Sequence, residues 1–210
     1  MRILLVAATE AEAPPVVAKA GHTVKVLITG VGMVATAARC AHALASERYD
    51  LAINVGLCGS FNPRLTPGTV VHVASDRLPE LGAQDGDAFL TIYDLQLLGQ
   101  DEFPFQGGML INAAPPVIPA ISSLPAVAGI TVNTVHGNSD AIARVVERFN
   151  PDVESMEGAA FMYACLIHDV PFAQVRAVSN VVERRNRPAW KIGEALRALV
   201  AVTRDIVSEA

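Results

Sequence analysis

Two apolar runs lie almost back to back in this chain, residues 159–167 and 170–178, parted only by His168 and Asp169. The stretch around them, 150–186, reads as loop, helix, short turn, strand and loop. A helix and a strand this apolar leave little face for water, so both belong inside a sheet covered by helices. The polar residues stand where the backbone turns: Glu157 opens the helix and Asn180 closes the strand. Ligands of an α/β sheet collect outside the carboxyl ends of its strands, so a carboxylate at a helix start and an amide at a strand end can face one crevice. Each also has a plainer reading, Glu157 as a complement to the helix dipole and Asn180 as a turn former.

The rest of the chain repeats the alternation. Strands are expected at 3–8, 24–29, 51–55, 69–74, 129–136 and 172–178. Helices are expected at 33–47, 115–123, 140–149, from Glu157 through 167, and 188–207. Strands alternating with helices predict one α/β domain over 1–210, a mixed, mostly parallel central sheet flanked by helices. Residues 75–108 break the rhythm with Gly, Asp and Glu and little periodicity, and read as a long functional excursion.

Bulk properties exclude several classes. Half of the residues are hydrophobic (51%) and mean hydropathy is +0.36, yet no apolar run approaches the roughly 18 residues that span a bilayer. The excess is therefore assigned to a buried sheet and to an interface in a homodimer or higher homo-oligomer. A net charge of −5 without a basic stripe argues against nucleic acid as a partner. The opening MRILLVAATEAEA reads as a first strand and not as a signal peptide, so a cytoplasmic location is expected. Cys40, Cys58 and Cys165 read as free buried thiols, and the five histidines form no zinc pattern. No metal and no cofactor is expected.

Gly30-Val31-Gly32-Met33-Val34-Ala35 matches the G-x-G-x-x-A dinucleotide fingerprint. The acid that should hold a ribose hydroxyl is misplaced, because Asp50 precedes the next strand where it should end it. What remains is a glycine turn at a helix N-terminus, where Gly32 lets a ribose or an anion approach backbone N–H groups. Thr9-Glu10-Ala11-Glu12 puts two carboxylates directly after the first strand, with no Lys or Arg between residues 3 and 18. A carboxylate there can hold and activate a water. It would repel phosphate, which favours hydrolysis over phosphorolysis should the site handle a glycosidic bond.

MRILLVAATEAEA, ITGVGMVATA, AINVGLCGSFNPRLTPGTVV, VESMEGAAF and VRAVSNV occur in the order seen in the purine nucleoside phosphorylase and nucleosidase superfamily, and the resemblance runs from Met1 to about Val182. Within it the chain looks most like the methylthioadenosine/S-adenosylhomocysteine nucleosidase branch. RLPELGAQDGDAFL and ERRNRPAW resemble the futalosine hydrolase group more narrowly. The resemblance implies a purine nucleoside as substrate and assigns roles by position. Glu12 would activate the attacking water. Met156 would pack on the ribose, and Glu157 would accept hydrogen bonds from its 2′ and 3′ hydroxyls. Asn180 takes the place of an aspartate that protonates N7 in adenine-specific nucleosidases, with Arg176 and Ser179 as its supports.

Asn180 is a departure with chemical content. An amide is no general acid, but it offers a donor and an acceptor together. That suits a 6-oxopurine such as hypoxanthine better than adenine, and futalosine carries hypoxanthine. The region around VHGNSDAIA lacks the Phe that stacks on the base in the nucleosidase branch, leaving Phe89, Phe103 and Phe105 as candidates, each of which reads first as a core residue. Arg184, Arg185 and Arg187 follow the site strand and could meet an anionic substituent, or simply form a solvated loop. Three readings stay open: a nucleoside hydrolase acting on futalosine or on methylthioadenosine-type nucleosides, a phosphorylase of the same fold, and a non-catalytic nucleoside binder.

Overall fold

The computed structural model describes residues 1–210. Its strands are β1 (Arg2–Ala7), β2 (Thr23–Ile28), β3 (Leu51–Ser60), β4 (Val70–Asp76), β5 (Gly82–Asp85), β6 (Ala88–Thr91), β7 (Leu110–Ile111), β8 (Ala126–Thr131), β9 (Val153–Ser155) and β10 (Phe172–Val181). The helices are α1 (Met33–Ser46), α2 (Pro119–Ser122), α3 (Ser139–Phe149), α4 (Gly158–Ile167) and α5 (Ile192–Glu209). No helix is long and apolar enough to cross a membrane.

Eight strands form one mixed sheet. β2, β1 and β3 run parallel side by side, and β3 is also parallel to β10. From β10 the path goes antiparallel to β4, parallel to β8, parallel to β9, and antiparallel back to β3. The sheet therefore closes on itself around five strands, with β1 and β2 as an open wing and β7 on the tip of β4. The hairpin β5–β6 stands apart; Gly86, at φ 58°, opens its two-residue turn.

Covering on both faces explains the apolar runs. In β1, Ile3, Leu5 and Ala7 join a core with Ile53, Val175, Leu199 and Ile206 beneath α5. Leu4 and Val6 point the other way, to Cys40 and Leu44 of α1 and to Phe161, Met162 and Cys165 of α4. Alternate side chains of one strand thus fill two cores. α4 is apolar all round because it is wedged between α1 and the sheet, with seven of its ten residues buried.

The expected fold class holds: a single α/β domain with a mostly parallel mixed sheet flanked by helices. Several boundaries differ. β3 does not stop at Val55 but runs through Gly56-Leu57-Cys58-Gly59 to Ser60. Those glycines are bare positions under other side chains: a Cβ on Gly56 would lie 2.1 Å from Arg176 Nη1. β9, three residues long, lies in a stretch expected as loop. The strand expected at 129–136 lies at Ala126–Thr131, and the helix expected at 115–123 shrinks to one turn behind Pro119. The closing helix starts at Ile192, because Arg187–Ala189 forms a separate 3-10 turn around Pro188. The excursion holds the β5–β6 hairpin and is tied down where Glu80 Oε2 accepts from Asn133 N at 2.9 Å.

Candidate active site

The carboxyl ends of β1, β3, β9 and β10 meet at a cavity of about 320 Å³. Glu12, Glu154, Met156, Glu157, Ser179 and Asn180 line it, with Leu57 to Gly59 beneath and Trp190 and Ile192 at one side. Three carboxylates and one imidazole, His136, face this space, and no Lys or Arg does.

Glu12 sits in a tight turn after β1. Its Oε2 accepts from Thr9 N at 3.0 Å and Thr9 Oγ1 at 2.8 Å, and its Oε1 accepts from Leu57 N at 3.2 Å. The turn and β3 together fix the carboxylate at the cavity wall, with lone pairs to spare for a water.

Glu157 is buried at the start of α4. Its Oε1 accepts from Gly32 N at 3.0 Å. The anion at the N-terminus of α1 is thus the chain's own carboxylate, held by the glycine turn that resembles a dinucleotide fingerprint. Its Oε2 lies 3.6 Å from Arg176 Nη1. Arg176 is 1% exposed and lies behind the cavity floor. Its Nε donates to Gln174 Oε1 at 3.1 Å and its Nη2 to Asn54 Oδ1. Arg176 Nη1 and Glu12 Oε1 approach the same point over Gly56, at 2.1 and 3.3 Å from a Cβ built there. One guanidinium therefore stands behind two carboxylates.

Gln174 continues the network to Asp76, donating from Nε2 to Oδ2 at 3.1 Å. Asp76 Oδ1 accepts from Thr131 Oγ1 at 3.0 Å and Arg77 N at 2.8 Å. Burial pushes the Asp76 carboxyl up to about 6, against the pull of those hydrogen bonds. Burial likewise pushes the thiol of Cys58, on the cavity wall, up to about 12, so it stays protonated and is no nucleophile near neutral pH.

Ser179 is a bulge in β10: Val178 pairs with Cys58 and Asn180 with Gly59. The extra residue rephases the strand so that Asn180 faces the cavity. Ser179 Oγ stands 2.8 Å from Asn180 Oδ1, and Asn180 Nδ2 donates to Val181 O at 3.0 Å.

A family model described as the phosphorylase superfamily matches residues 8–210. The futalosine hydrolase of Streptomyces coelicolor is 36% identical over 82% of this chain and 74% of that protein. The futalosine hydrolase of Thermus thermophilus is 30% identical over 87% and 80%. The chain belongs to the phosphorylase superfamily and to its futalosine hydrolase group. Among solved structures, S-adenosylhomocysteine nucleosidase of Streptococcus pyogenes, in complex with 5-methylthiotubericidin, shares the fold at a TM-score of 0.78 and 19% identity, covering 99% of this chain and 96% of that one. Futalosine hydrolase of Helicobacter pylori does so at 0.77 and 12%, covering 98% and 97%.

In this futalosine hydrolase-group chain, five of the seven residues singled out from sequence line the cavity: Glu12, Met156, Glu157, Ser179 and Asn180. Gly32 and Arg176 do not; they touch Glu157 from behind. None of the three aromatic candidates lines the cavity. Phe105 is buried against Tyr93 and Tyr163, Phe103 is 72% exposed, and Phe89 packs under Arg148. The rings that do line the cavity are His136 and Trp190. None of the three arginines after β10 lines it, and Arg185 stacks on Trp190 at 5.5 Å. Sequence reading missed Glu154 and His136. Glu154 lies three residues before Glu157 in VESME, and its signal is an acid between Val153 and Ser155 in a short stretch that the sheet buries.

Proposed function

We propose that this chain hydrolyses the N-glycosidic bond of futalosine, releasing hypoxanthine, as the nucleosidase step of menaquinone biosynthesis. A water held by Glu12 attacks C1′ while the C1′–N9 bond breaks through an oxocarbenium-like state. Glu12 takes the proton of that water. Glu157, fixed by Gly32 and Arg176, accepts from the 2′ and 3′ hydroxyls, and Met156 packs on the ribose. The electron pair of the broken bond leaves with the purine. Asn180 Nδ2–H, oriented by Ser179, meets that charge at N7, and a proton from water neutralises the base on release. Positioning and electrostatics carry the rate.

The observation that carries this reading is the charge of the cavity wall: Glu12, Glu154 and Glu157, with no Lys or Arg. A phosphate co-substrate would enter against three carboxylates with no cation to receive it. The walls suit water and hydroxyls instead. A homo-oligomer belongs to the same reading, since Val31 at the cavity rim and Val34 on α1 are 60% and 79% exposed; size-exclusion chromatography with light scattering tests it.

The deciding experiment is chromatography of free base released from futalosine, inosine and methylthioadenosine, each with and without phosphate. Hypoxanthine from futalosine at a rate indifferent to phosphate is the expected result. Phosphate-dependent turnover would turn the reading to a phosphorylase, and adenine from methylthioadenosine would remove the role given to Asn180.

A further inference from the structure

Gly59 stands in the sheet between two polar residues. It pairs with Asn180 of β10 on one side and with Glu154 of β9 on the other. Residues paired in one row point to the same face. Asn180 and Glu154 thus rise from that face as two posts about two strand spacings apart, on the order of 9–10 Å, with a bare glycine between them. A Cβ built on Gly59 would lie 2.8 Å from Val182 Cγ2, 3.3 Å from Asn180 Nδ2 and 3.5 Å from Glu154 Cγ. The two side chains lean toward each other over the glycine, where a Val182 methyl also packs, and both line the cavity, so one edge of a base lying in the cavity can meet both.

Glu154 is 3% exposed and is not left to itself. His136 N donates to its Oε1 at 3.1 Å, and His136 Nδ1 lies 2.6 Å from its Oε2. Phe61 braces the imidazole edge-on, with ring centroids 6.1 Å apart. Each carboxylate oxygen keeps a further lone pair, since a carboxylate offers about four acceptor sites. On the other post, Ser179 Oγ next to Asn180 Oδ1 leaves the amide to present its NH₂ toward Gly59. The pair therefore offers a donor and an acceptor side by side at the cavity wall.

We infer that Glu154, positioned by His136, is a second specificity-determining residue of this site and accepts the N1–H of a 6-oxopurine whose N7 or O6 takes the Asn180 amide proton. The inference rests on the proposed purine-nucleoside hydrolysis and extends it to the edge of the base. A 6-oxopurine presents acceptor, acceptor and donor at N7, O6 and N1–H, matching the pair. Adenine presents acceptor, donor and acceptor, so its N1 lone pair would face a carboxylate. A site built to bond a substrate N–H discriminates strongly against analogues that lack it, because the buried partner is then left unpaired.

The test compares wild type and Glu154→Gln on inosine, 1-methylinosine and adenosine, or their futalosine-type analogues, reading kcat/KM for base release. Wild type is expected to favour inosine over both others. Glu154→Gln is expected to lose about 10–100-fold on inosine, the scale of a hydrogen bond to a charged group. It should lose nothing on adenosine and no longer distinguish 1-methylinosine from inosine. Should Glu154→Gln not fold, Glu154→Asp keeps the charge beside His136 and is expected to narrow the same ratios. A uniform loss on all three substrates, or wild type cleaving 1-methylinosine as readily as inosine, overturns this inference alone. Release of no hypoxanthine from any substrate overturns the proposed function and this inference with it.

Discussion

Asp76→Asn probes the network behind the site with a near-isosteric change. Hydrogen bonds in that network run one way. Arg176 Nε can only donate, so Gln174 must turn Oε1 to it and Nε2 to Asp76, and Asp76 Oδ2 must accept. An asparagine at 76 that keeps its oxygen on Thr131 and Arg77 N aims its own NH₂ at that of Gln174. Either that contact or the Arg176 bond then fails, at a cost of about 1–3 kcal/mol for a buried unpaired group. If the misfit reaches Glu157 through Arg176, kcat/KM falls about 10–100-fold near pH 7.5. Stability moves differently. The folded chain holds the Asp76 proton up to about pH 6, whereas the ordinary value for an aspartate is 3.8. Between those values the folded state binds more protons than the unfolded, so rising pH removes stability. Below the window both states are protonated, and above it neither is. Two units at about 1.4 kcal/mol each amount to about 3 kcal/mol, present below about pH 4 and lost by about pH 7. The variant lacks this slope, so its stability relative to wild type should rise by about 3 kcal/mol between pH 4 and pH 7. Urea denaturation at several pH values, with kcat/KM on a 6-oxopurine nucleoside, measures both. Parallel stability curves with unchanged kcat/KM would refute the one-way network and the buried charge together.

Glu12→Gln should cut hydrolysis by about 10²–10⁴-fold while nucleoside binding persists by calorimetry; normal turnover would end the water-activation role. Asn180→Asp should weaken the preference for inosine-type over adenosine-type substrates, and an unchanged rate ratio would count against base reading by the amide. Gly56→Ala sets a methyl 2.1 Å from Arg176 Nη1 and 3.3 Å from Glu12 Oε1. It should destabilise by about 1–3 kcal/mol through overpacking and lower kcat with it, checked by thermal unfolding and steady-state rates; a fully active, equally stable variant would mean the guanidinium moves aside freely.

Much of the architecture was legible because period and burial speak plainly in this chain. Apolar runs such as RILLVA and GAAFMYACLI admit little but a doubly covered strand and a buried helix, and they formed where expected. What was hidden depends on contacts distant in sequence. β9 is three residues long, too short for alternation to register, and exists because β8 and β3 flank it. The glycines of β3 looked like a turn, because a strand that needs bare positions beneath Arg176 and Asn180 has the composition of a loop. The cluster of Glu12, Glu157 and Asn180 could be guessed from their places after strands and before a helix. The Glu154–His136 pair could not, since its members lie in different elements and only the fold brings them to 2.6 Å.

The charges of the site are arranged in depth. Arg176 sits behind the floor, 3.6 Å from Glu157 and close to Glu12, and the cavity itself is lined by acceptors. A buried ion pair adds little net stability, because desolvation offsets most of the attraction. Its use here is orientation: the guanidinium, held by Gln174 and Asn54, leaves Glu157 one place to put its second oxygen once Gly32 has taken the first. Had the same cation pointed into the cavity, it would have bound an anion there and drawn Glu12 away from any water. Placed behind, it neutralises the carboxylates enough for them to share a small space while leaving their outward lone pairs for O–H and N–H groups. Water, ribose hydroxyls and the N1–H of a 6-oxopurine all present such groups, and inorganic phosphate at neutral pH presents chiefly negative oxygen.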